Sequence, residues 1–181
     1  MRIEIIRHQK VNMEWASKYN ASSYDLACQT YDQSPIITQD IKLQIPSNYP
    51  TKIYISELSR TYETAYQLFG ERDFIKTNLL NEVPLRSFHD FHHLLPVTLW
   101  NVMGRLQWFF GSQRQPESKL QTVKRAQKLL ELLESTHEDC CLVTHGFFMH
   151  TLLKVLKRQG YHIDTNHTFG FSNLERLIAY K

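Results

Sequence analysis

Three short apolar runs in this chain each lead directly into side chains that can carry positive charge or act as nucleophiles. They are Ile3–Ile6 followed by Arg7 and His8, Ile53–Ile55 followed by Ser56 and Arg60, and Leu142–Val143 followed by His145. Short apolar runs of this kind are typical of strands covered on both faces, as in parallel sheets. In α/β proteins the carboxyl ends of such strands lie beside the loops that bind ligands. The pattern therefore predicts one site at which these side chains meet.

Helical patterns alternate with the predicted strands, and this alternation favours a layered α/β fold. The strand candidates are Arg2–Ile6, Lys52–Ser56, Phe74–Thr77, Cys140–Thr144 and Leu174–Tyr180, of which the last alternates in polarity and is expected at an edge. The helix candidates are Arg60–Phe69, with Ser59 as N-cap and Gly70 as terminator, Glu117–Glu134 and Phe147–Leu156. A length of 181 residues is consistent with a single domain over residues 1–181.

Two segments interrupt the alternation of strands and helices. Residues 11–40 are rich in Tyr, Ser, Asn and Gln, and residues 84–116 carry Phe88, Phe91, Trp100, Trp108, Phe109 and Phe110. Long excursions from a compact core usually cover a site or are disordered, and this aromatic content argues against disorder. We expect both segments to be lids over the carboxyl edge of the sheet, with a lid insertion at about 84–116. The alternative for residues 84–116 is a buried helix packed on the sheet.

Composition and charge limit the binding partners and the cellular compartment that we expect for this protein. The net charge of +3 is mild and the cations are scattered, so no nucleic-acid partner is expected. The first residues lack the pattern of a signal peptide, and no run approaches the ~18 apolar residues of a membrane span, so no membrane association is expected. The three cysteines, Cys28, Cys140 and Cys141, lack metal-ligand spacing and predict reduced thiols in the cytoplasm. Cys140 and Cys141 are expected in the core.

Arg60 and His145 each stand where a helix is predicted to begin. A cation in the first turn of a helix is unfavourable unless an anion sits there too, so Arg60 indicates an anionic ligand. The alternative is an ion pair with Glu57 or Glu63. Gly146 allows close approach to a ligand, and the N–H groups near Phe147 and Phe148 should point to the same place. A strand-end histidine such as His145 is also often purely structural.

The stretch His89-Asp90-Phe91-His92-His93 is the one candidate metal site in the sequence. His89 and His93 would share a helix face, with Asp90 as a third ligand. The glutamate of a His-Glu-x-x-His motif is missing, and we expect a polar stretch of the lid rather than a metal centre.

The combination of motifs resembles the histidine phosphatase superfamily, which includes the cofactor-dependent phosphoglycerate mutases and many small phosphatases. The family's Arg-His-Gly motif reads Arg7-His8-Gln9, its Ser-x-Leu-x-Arg-Ala-x-x-Thr-Ala motif reads Ser56, Leu58, Arg60, Thr61, Thr64 and Ala65, its Leu-x-Glu reads Leu80-Asn81-Glu82, and its Val-x-His-Gly reads Val143-Thr144-His145-Gly146. Gln9 and Thr61 depart from the pattern. The resemblance implies a three-layer α/β/α sandwich with a mostly parallel central sheet, phosphoglycerate mutase-like.

The resemblance also implies a set of roles. His8 would attack phosphorus and form a phosphohistidine, while Arg7, Arg60 and His145 would hold the phosphoryl oxygens. Because Gly146 rather than an aspartate follows His145, Glu82 would be the proton donor, as in the mutase-like branch. Three further residues are expected to contact substrate: Gln9, which would narrow the pocket or donate to phosphate, Lys10 and Asn12. The reaction would need neither metal nor cofactor.

These roles predict a cytoplasmic, metal-independent phosphomonoesterase acting on a small phosphorylated metabolite. One alternative is a mutase-type phosphotransferase. The short chain and a lid that looks aromatic rather than cationic argue against it. An alternative of another class is a non-catalytic protein that binds a phosphate ligand, with a pocket spoiled by Gln9. The sequence leaves the substrate and the oligomeric state open.

Overall fold

The strands and helices predicted from the sequence are present, and three short strands and two helices, one in each interrupting segment, are added to them. The structure is a computed structural model that describes residues 1–37, 49–164 and 176–181. The strands are β1 (Arg2–Arg7), β2 (Lys18–Tyr19), β3 (Lys52–Ile55), β4 (Ile75–Lys76), β5 (Leu95–Pro96), β6 (Cys140–Thr144), β7 (His162–Asp164) and β8 (Arg176–Tyr180). The helices are α1 (Ala21–Gln33), α2 (Ser59–Phe69), α3 (Val97–Phe110), α4 (Lys119–Thr136) and α5 (Gly146–Arg158).

The central sheet has six strands in the order β4-β3-β6-β1-β8-β7. The strands β4, β3, β6 and β1 are parallel neighbours, and β8 runs antiparallel to both β1 and β7. The predicted edge position of the last strand was therefore wrong. β7, a three-residue strand too short to recognise from alternation, covers β8 on its outer side. Leu174 and Glu175, the first two residues of that predicted strand, lie outside the described residues.

Helices cover both faces of the sheet, which gives the predicted three layers. Ile6, Ile53 and Ile55 pack with Ala65 and Phe69 of α2 in one apolar cluster. On the opposite face, α4 and α5 pack over residues that alternate with these along the strands. Cys140 and Cys141 are both buried and belong to opposite clusters, as period-two alternation requires. The three cysteines form no disulfide.

The two interrupting segments pack against each other. β2 pairs antiparallel with β5, and the rings of Tyr24 and Trp100 stack at 5.4 Å between α1 and α3. The Trp100 indole N–H donates to the Tyr19 carbonyl at 2.9 Å, which satisfies a fully buried side chain. This third cluster is separate from the clusters on the sheet, so Trp100 packs on α1, whereas Trp108 of the same helix belongs to a cluster on the sheet. The alternative of a helix packed on the sheet is therefore met in part. Residues 38–40 of the first segment lie outside the described residues.

The three predicted helix starts were shifted by one or two residues, and α5 begins at Gly146 rather than at Phe147. Ser59 is the first residue of α2 and not its N-cap, a position that Leu58 occupies without a side-chain hydrogen bond. The Leu58 N–H instead donates to Ser56 Oγ at 3.1 Å, so a serine three residues earlier organises this turn. α4 begins at Lys119 because Ser118 and Gln121 form a capping box there. α2 ends at Gly70, with φ 73°, as predicted.

No helix within the described ranges combines the length and the apolar character needed to cross a membrane.

Candidate active site

The parallel register of the sheet brings the predicted strand-end residues together. Arg7 at the end of β1 lies opposite Thr144 at the end of β6, and the His8 N–H donates to the Thr144 carbonyl at 3.0 Å. The next residue after Thr144 is His145, and the His8 and His145 rings are 5.0 Å apart. β3 pairs with the other side of β6, so Ser56 reaches the same edge. The predicted convergence is therefore present in the fold.

His8 is buried in one defined orientation. Its ring Nδ1 lies 2.6 Å from the Gln9 carbonyl oxygen, to which Nδ1–H donates, and this leaves Nε2 with the lone pair. Burial lowers the pKa of His8 to about 3, with Arg60 and Arg7 acting in the same direction against the opposing hydrogen bond to Gln9. The imidazole is therefore neutral at physiological pH, as a nucleophile requires.

His145 is fully buried, and its neighbours fix its tautomer. Arg60 Nε donates to His145 Nδ1 at 3.1 Å, so the proton of the neutral ring is on Nε2 and is donated to Ser56 Oγ at 2.8 Å. Burial, followed by His8 and the nearby arginines, holds the pKa of His145 well below its usual range. Both nitrogens of this ring thus have protein partners in the described structure.

Arg60 is fully buried, and its ion-pair partner is Asp32 of α1. Its two terminal nitrogens each lie 3.1 Å from Asp32 Oδ1, and the Tyr31 ring lies 5.0 Å from the guanidinium carbon. The ion pair considered with Glu57 or Glu63 was wrong: those two carboxylates accept from the Asn81 side chain and the Ile36 N–H, respectively. The anion beside Arg60 is thus a side chain of the first interrupting segment.

Glu82 caps the N-terminus of α5. Its carboxylate accepts the N–H groups of Phe147 at 3.3 Å and Phe148 at 2.9 Å. These N–H groups were expected to face a ligand, but they donate to the Glu82 carboxylate instead. A carboxylate is stabilised at a helix N-terminus by the partial positive charge there. Glu82 also accepts the N–H of Val83 at 2.9 Å.

The loop that carries Glu82 is held from two sides. Thr144 Oγ1 donates to the Leu80 carbonyl at 2.8 Å, which ties the loop to the end of β6. Arg125 of α4 donates to the carbonyls of Leu79 at 3.0 Å and Asn81 at 2.7 Å, while Glu117 pairs with the same guanidinium. The position of Glu82 is therefore fixed by the sheet and by α4 together.

A cavity of about 410 Å³ opens between the sheet edge and the two interrupting segments. Its lining residues are Arg7, Trp15, Tyr24, Cys28, Tyr31, Asp32, Glu82, Val83, Pro84, Leu85, Asn101, Arg105, Gly146, Phe147, Met149 and His150. A Cβ on Gly146 would lie 2.9 Å from the Arg7 guanidinium carbon, so the close approach of Arg7 requires glycine at this position. Such a cavity matches the size and the mixed polarity of small-ligand sites.

Arg7 and Glu82 are the predicted site residues that line this cavity. His8, Arg60 and His145 are buried and, like Gln9, Lys10 and Asn12, lie outside its lining. The Gln9 side-chain amide donates to Gln67 Oε1 at 2.8 Å, so it is directed to α2. Lys10 and Asn12 are exposed, and their backbones bond to Ile37 and Pro35. Their contact with substrate stays a prediction.

The histidine-rich stretch has other partners. Asp90 pairs with Arg114, and the His89 ring stacks on Phe91 at 4.2 Å. In the described part of the chain, no group of three or more His, Cys, Asp or Glu side chains is arranged to hold a metal ion.

Three residues of the site were missed by sequence reasoning. Asp32 and Arg105 reach the cavity from α1 and α3, and Arg125 reaches the Glu82 loop from α4. None follows a strand or belongs to a motif, so their position depends on how the helices dock.

Comparison with known proteins identifies what this chain is similar to. A family model described as histidine phosphatase superfamily (branch 1) matches residues 43–178. This match includes Arg60, Glu82 and His145 and begins after His8. No curated protein was found to match the chain.

Solved structures extend the similarity of fold to nearly the whole chain. A mutant of phosphoserine phosphatase from Entamoeba histolytica, in complex with phosphoserine, is 20% identical, with a TM-score of 0.63 and coverage of 98% of this chain and 89% of that one. The mycobacterial glucosyl-3-phosphoglycerate phosphatase is 18% identical, with a TM-score of 0.57 and coverage of 98% and 88%. A putative α-ribazole-5'-P phosphatase from Escherichia coli K-12 is 16% identical, with a TM-score of 0.55 and coverage of 86% and 79%.

Proposed function

Because this chain belongs to the histidine phosphatase superfamily, we propose that it is a metal-independent phosphomonoesterase that acts through a phosphohistidine intermediate. The observation that carries this proposal is the state of His8. The ring is neutral, oriented through Nδ1 and flanked by the cationic side chains of Arg7 and Arg60. A neutral imidazole beside two guanidinium groups is suited to attack a phosphoryl group whose negative charge those groups neutralise.

In the first step, the Nε2 lone pair of His8 attacks phosphorus. A phosphorus–nitrogen bond forms, the ester phosphorus–oxygen bond breaks, and Glu82 gives a proton to the leaving alcohol oxygen. Arg7 and Arg60 hold the phosphoryl oxygens, with His145 behind Arg60. Phosphate would take the place of the Asp32 carboxylate on the guanidinium group of Arg60.

In the second step, water attacks the phosphohistidine. Glu82, now ionised, takes a proton from this water, the phosphorus–nitrogen bond breaks, and His8 returns with its Nε2 lone pair. Phosphate then leaves and Asp32 pairs with Arg60 again. In the second step Glu82 thus recovers the one proton that it gives to the leaving oxygen in the first.

The substrate class we propose is a small phosphorylated metabolite. A cavity of about 410 Å³ accommodates a compact ligand. The proteins of similar fold named above are phosphatases of phosphoserine and of glucosyl-3-phosphoglycerate, which are small molecules. The three unpaired cysteines suit a reducing compartment such as the cytoplasm.

The test is hydrolysis of p-nitrophenyl phosphate by the purified protein in excess EDTA. We expect turnover that His8→Ala abolishes and that His92→Ala, a matched change of an exposed histidine in the candidate metal stretch, leaves unchanged. Absence of turnover by the wild-type protein, with phosphate still bound, would favour the non-catalytic binder. Loss of activity in EDTA, restored by Zn²⁺ or Mn²⁺ and mirrored by His92→Ala, would move the chemistry to the histidine-rich stretch.

A further inference from the structure

The solvent-facing side of α3 is apolar. Five large apolar side chains of this helix are between 39% and 78% exposed: Leu99, Val102, Leu106, Phe109 and Phe110. Because an α-helix has about 3.6 residues per turn, these five residues lie within less than a third of its circumference. We call them the apolar stripe. The buried side of the same helix consists of Trp100, Gly104 and Trp108.

The apolar stripe is unusual for a helix at the protein surface. Such helices ordinarily carry charged and polar residues opposite their buried side. The sequence of α3 contains a single charged residue, Arg105, and that side chain lines the cavity. Among the described residues that line the cavity, none belongs to the stripe, so ligand binding does not account for it. A contiguous exposed apolar surface of this kind marks an interaction site.

The area of the apolar stripe matches what a stable dimer needs. From their exposed fractions, the five side chains present roughly 500 Å² of surface to solvent. Homodimer interfaces are about 65% apolar, so this area corresponds to a contact of roughly 770 Å² on each partner. Interfaces of standard size bury about 800 Å² per partner.

The spacing of the stripe is suited to a second copy of this chain. Leu99, Val102, Leu106 and Phe109 follow one another at intervals of three, four and three residues, which read the same in both directions. In an antiparallel pair of α3 helices related by a two-fold axis, Leu99 therefore meets the partner's Phe109, and Val102 meets the partner's Leu106. Alternating intervals of three and four residues also form the apolar seam of paired helices. Because the stripe carries no charge, two copies meet without electrostatic repulsion.

We infer that this protein forms a homodimer in which the apolar stripes of two α3 helices pack antiparallel across a two-fold axis. The inference is independent of the proposed function, because it uses none of the residues of the site. A membrane surface is the competing occupant of an exposed apolar helix face. Helices that lie on membranes are rich in Lys and Arg on their polar side, whereas the one cation of α3 lines the cavity.

The test is the molar mass of the purified full chain by sedimentation equilibrium at about 50 µM protein. We expect the wild-type protein to have twice the 21.5 kDa of one chain. Leu106→Glu should have the mass of one chain, because it places a carboxylate against the partner's Val102 on both sides of the axis. Leu132→Glu is the matched control, since Leu132 of α4 is 42% exposed against 44% for Leu106 and lies outside the stripe. This control should remain a dimer.

A mixture of two variants tests the antiparallel register. Val102→Lys and Leu106→Glu should each be monomeric alone. When they are mixed in equal amounts they should form a heterodimer, because the ammonium introduced in one chain meets the carboxylate introduced in the other. The second contact across the axis then joins the unchanged Leu106 of one chain to the unchanged Val102 of the other. A mixture that stays monomeric would contradict this register.

The remaining outcomes also decide the inference. A wild-type protein with the mass of one chain would overturn it, as would a dimer that Leu106→Glu leaves intact. A monomer that co-sediments with vesicles of phosphatidylcholine and phosphatidylglycerol would overturn it in favour of a membrane surface. Should Leu106→Glu not fold, Leu106→Ser takes its place and should raise the dissociation constant of the dimer about tenfold or more. An unchanged dissociation constant in that variant would equally overturn the inference.

Discussion

The carboxylate of Asp32 accepts hydrogen bonds from both terminal nitrogens of Arg60, each at 3.1 Å. Arg60 is fully buried, whereas the Asp32 side chain is 44% exposed and lies on α1, in the first interrupting segment. A helix outside the sheet thus supplies the counter-charge for a central cation of the site. Because we propose that Arg60 binds phosphate, Asp32 and phosphate compete for the same donors.

This competition predicts that Asp32→Asn binds phosphate more tightly. Asparagine keeps an oxygen acceptor for Arg60 but removes the negative charge that phosphate must displace. Since partly exposed ion pairs contribute about 0.2–1 kcal/mol, we expect the inhibition constant of inorganic phosphate to fall by about 1.4- to fivefold. The measurement is competitive inhibition of p-nitrophenyl phosphate hydrolysis at fixed pH.

The matched control for this variant is Asp25→Asn. Asp25 lies on the same helix and pairs with Arg86, away from the cavity lining. It should leave the inhibition constant of phosphate unchanged. Weaker phosphate binding by Asp32→Asn would contradict the competition and make Asp32 a residue that positions Arg60 for the ligand.

The buried histidines predict that the protein loses stability as the pH falls from neutral. His8 has a folded-state pKa of about 3 against an ordinary value of 6.5, and that of His145 is also lowered. Below pH 6.5 the unfolded chain binds protons that the folded chain excludes, so the free energy of unfolding decreases as the pH falls toward 3. Above pH 6.5 the stabilising contribution of the neutral histidines is complete. Each group contributes at most about 1.4 kcal/mol per pH unit in this window.

Urea unfolding of the wild-type protein and of His8→Asn between pH 7 and pH 4 measures this effect. The variant lacks one of the two titrating groups, so its free energy of unfolding should fall less steeply than that of the wild type. Carboxylates protonate in both proteins and cancel in the comparison. Parallel curves would mean that His8 is protonated in the folded state at mildly acidic pH and is not a ready nucleophile.

Proton transfer by Glu82 predicts a dependence on the leaving group. Nitrophenolate leaves without much protonation, whereas an alkyl alcohol needs a proton. Glu82→Gln should therefore slow hydrolysis of an alkyl phosphate far more than that of p-nitrophenyl phosphate, by a gap of about 10²–10⁴-fold. Glutamine keeps an oxygen that can accept the Phe148 N–H, so the start of α5 should stay capped.

Glu57→Gln is a fitting comparison, because Glu57 bonds to Asn81 of the same loop and does not line the cavity. It should slow neither substrate. The Glu82 variant should still bind vanadate, since the anion is held by the arginines. If it slows both substrates equally and also weakens vanadate binding, Glu82 is a structural cap of α5, and the acid has to be sought in the predicted lid at about 84–116, with Asp90 first.

The parts of the fold that follow from local sequence were predictable. β6 has the predicted bounds, α2 ends at Gly70, and the apolar runs of β1 and β3 fill both faces of the sheet. Because parallel strands bring their carboxyl ends to one edge, the meeting of His8 and His145 could also be predicted. β2, β5 and β7 have two or three residues each, too few to show a period.

The partners of the site residues depend on tertiary docking and were not predictable. Asp32 reaches Arg60 because the pairing of Tyr24 with Trp100 sets the position of α1 beside α3. Residues 84–116 looked aromatic rather than cationic because their three arginines, Arg105 among them, stand among six Phe and Trp residues. Gln9 looked like a pocket residue because of its place after His8, yet its side chain bonds to Gln67 of α2.

The most direct test of the account is where the phosphoryl group is attached during turnover. The protein is mixed with a ³²P-labelled substrate, quenched within milliseconds, and its label is tested for stability and located by peptide mass spectrometry. We predict acid-labile, base-stable phosphate on Nε2 of His8, absent from His8→Ala and present in His92→Ala. Label that persists in His8→Ala, or turnover by that variant at the wild-type rate, would contradict the account.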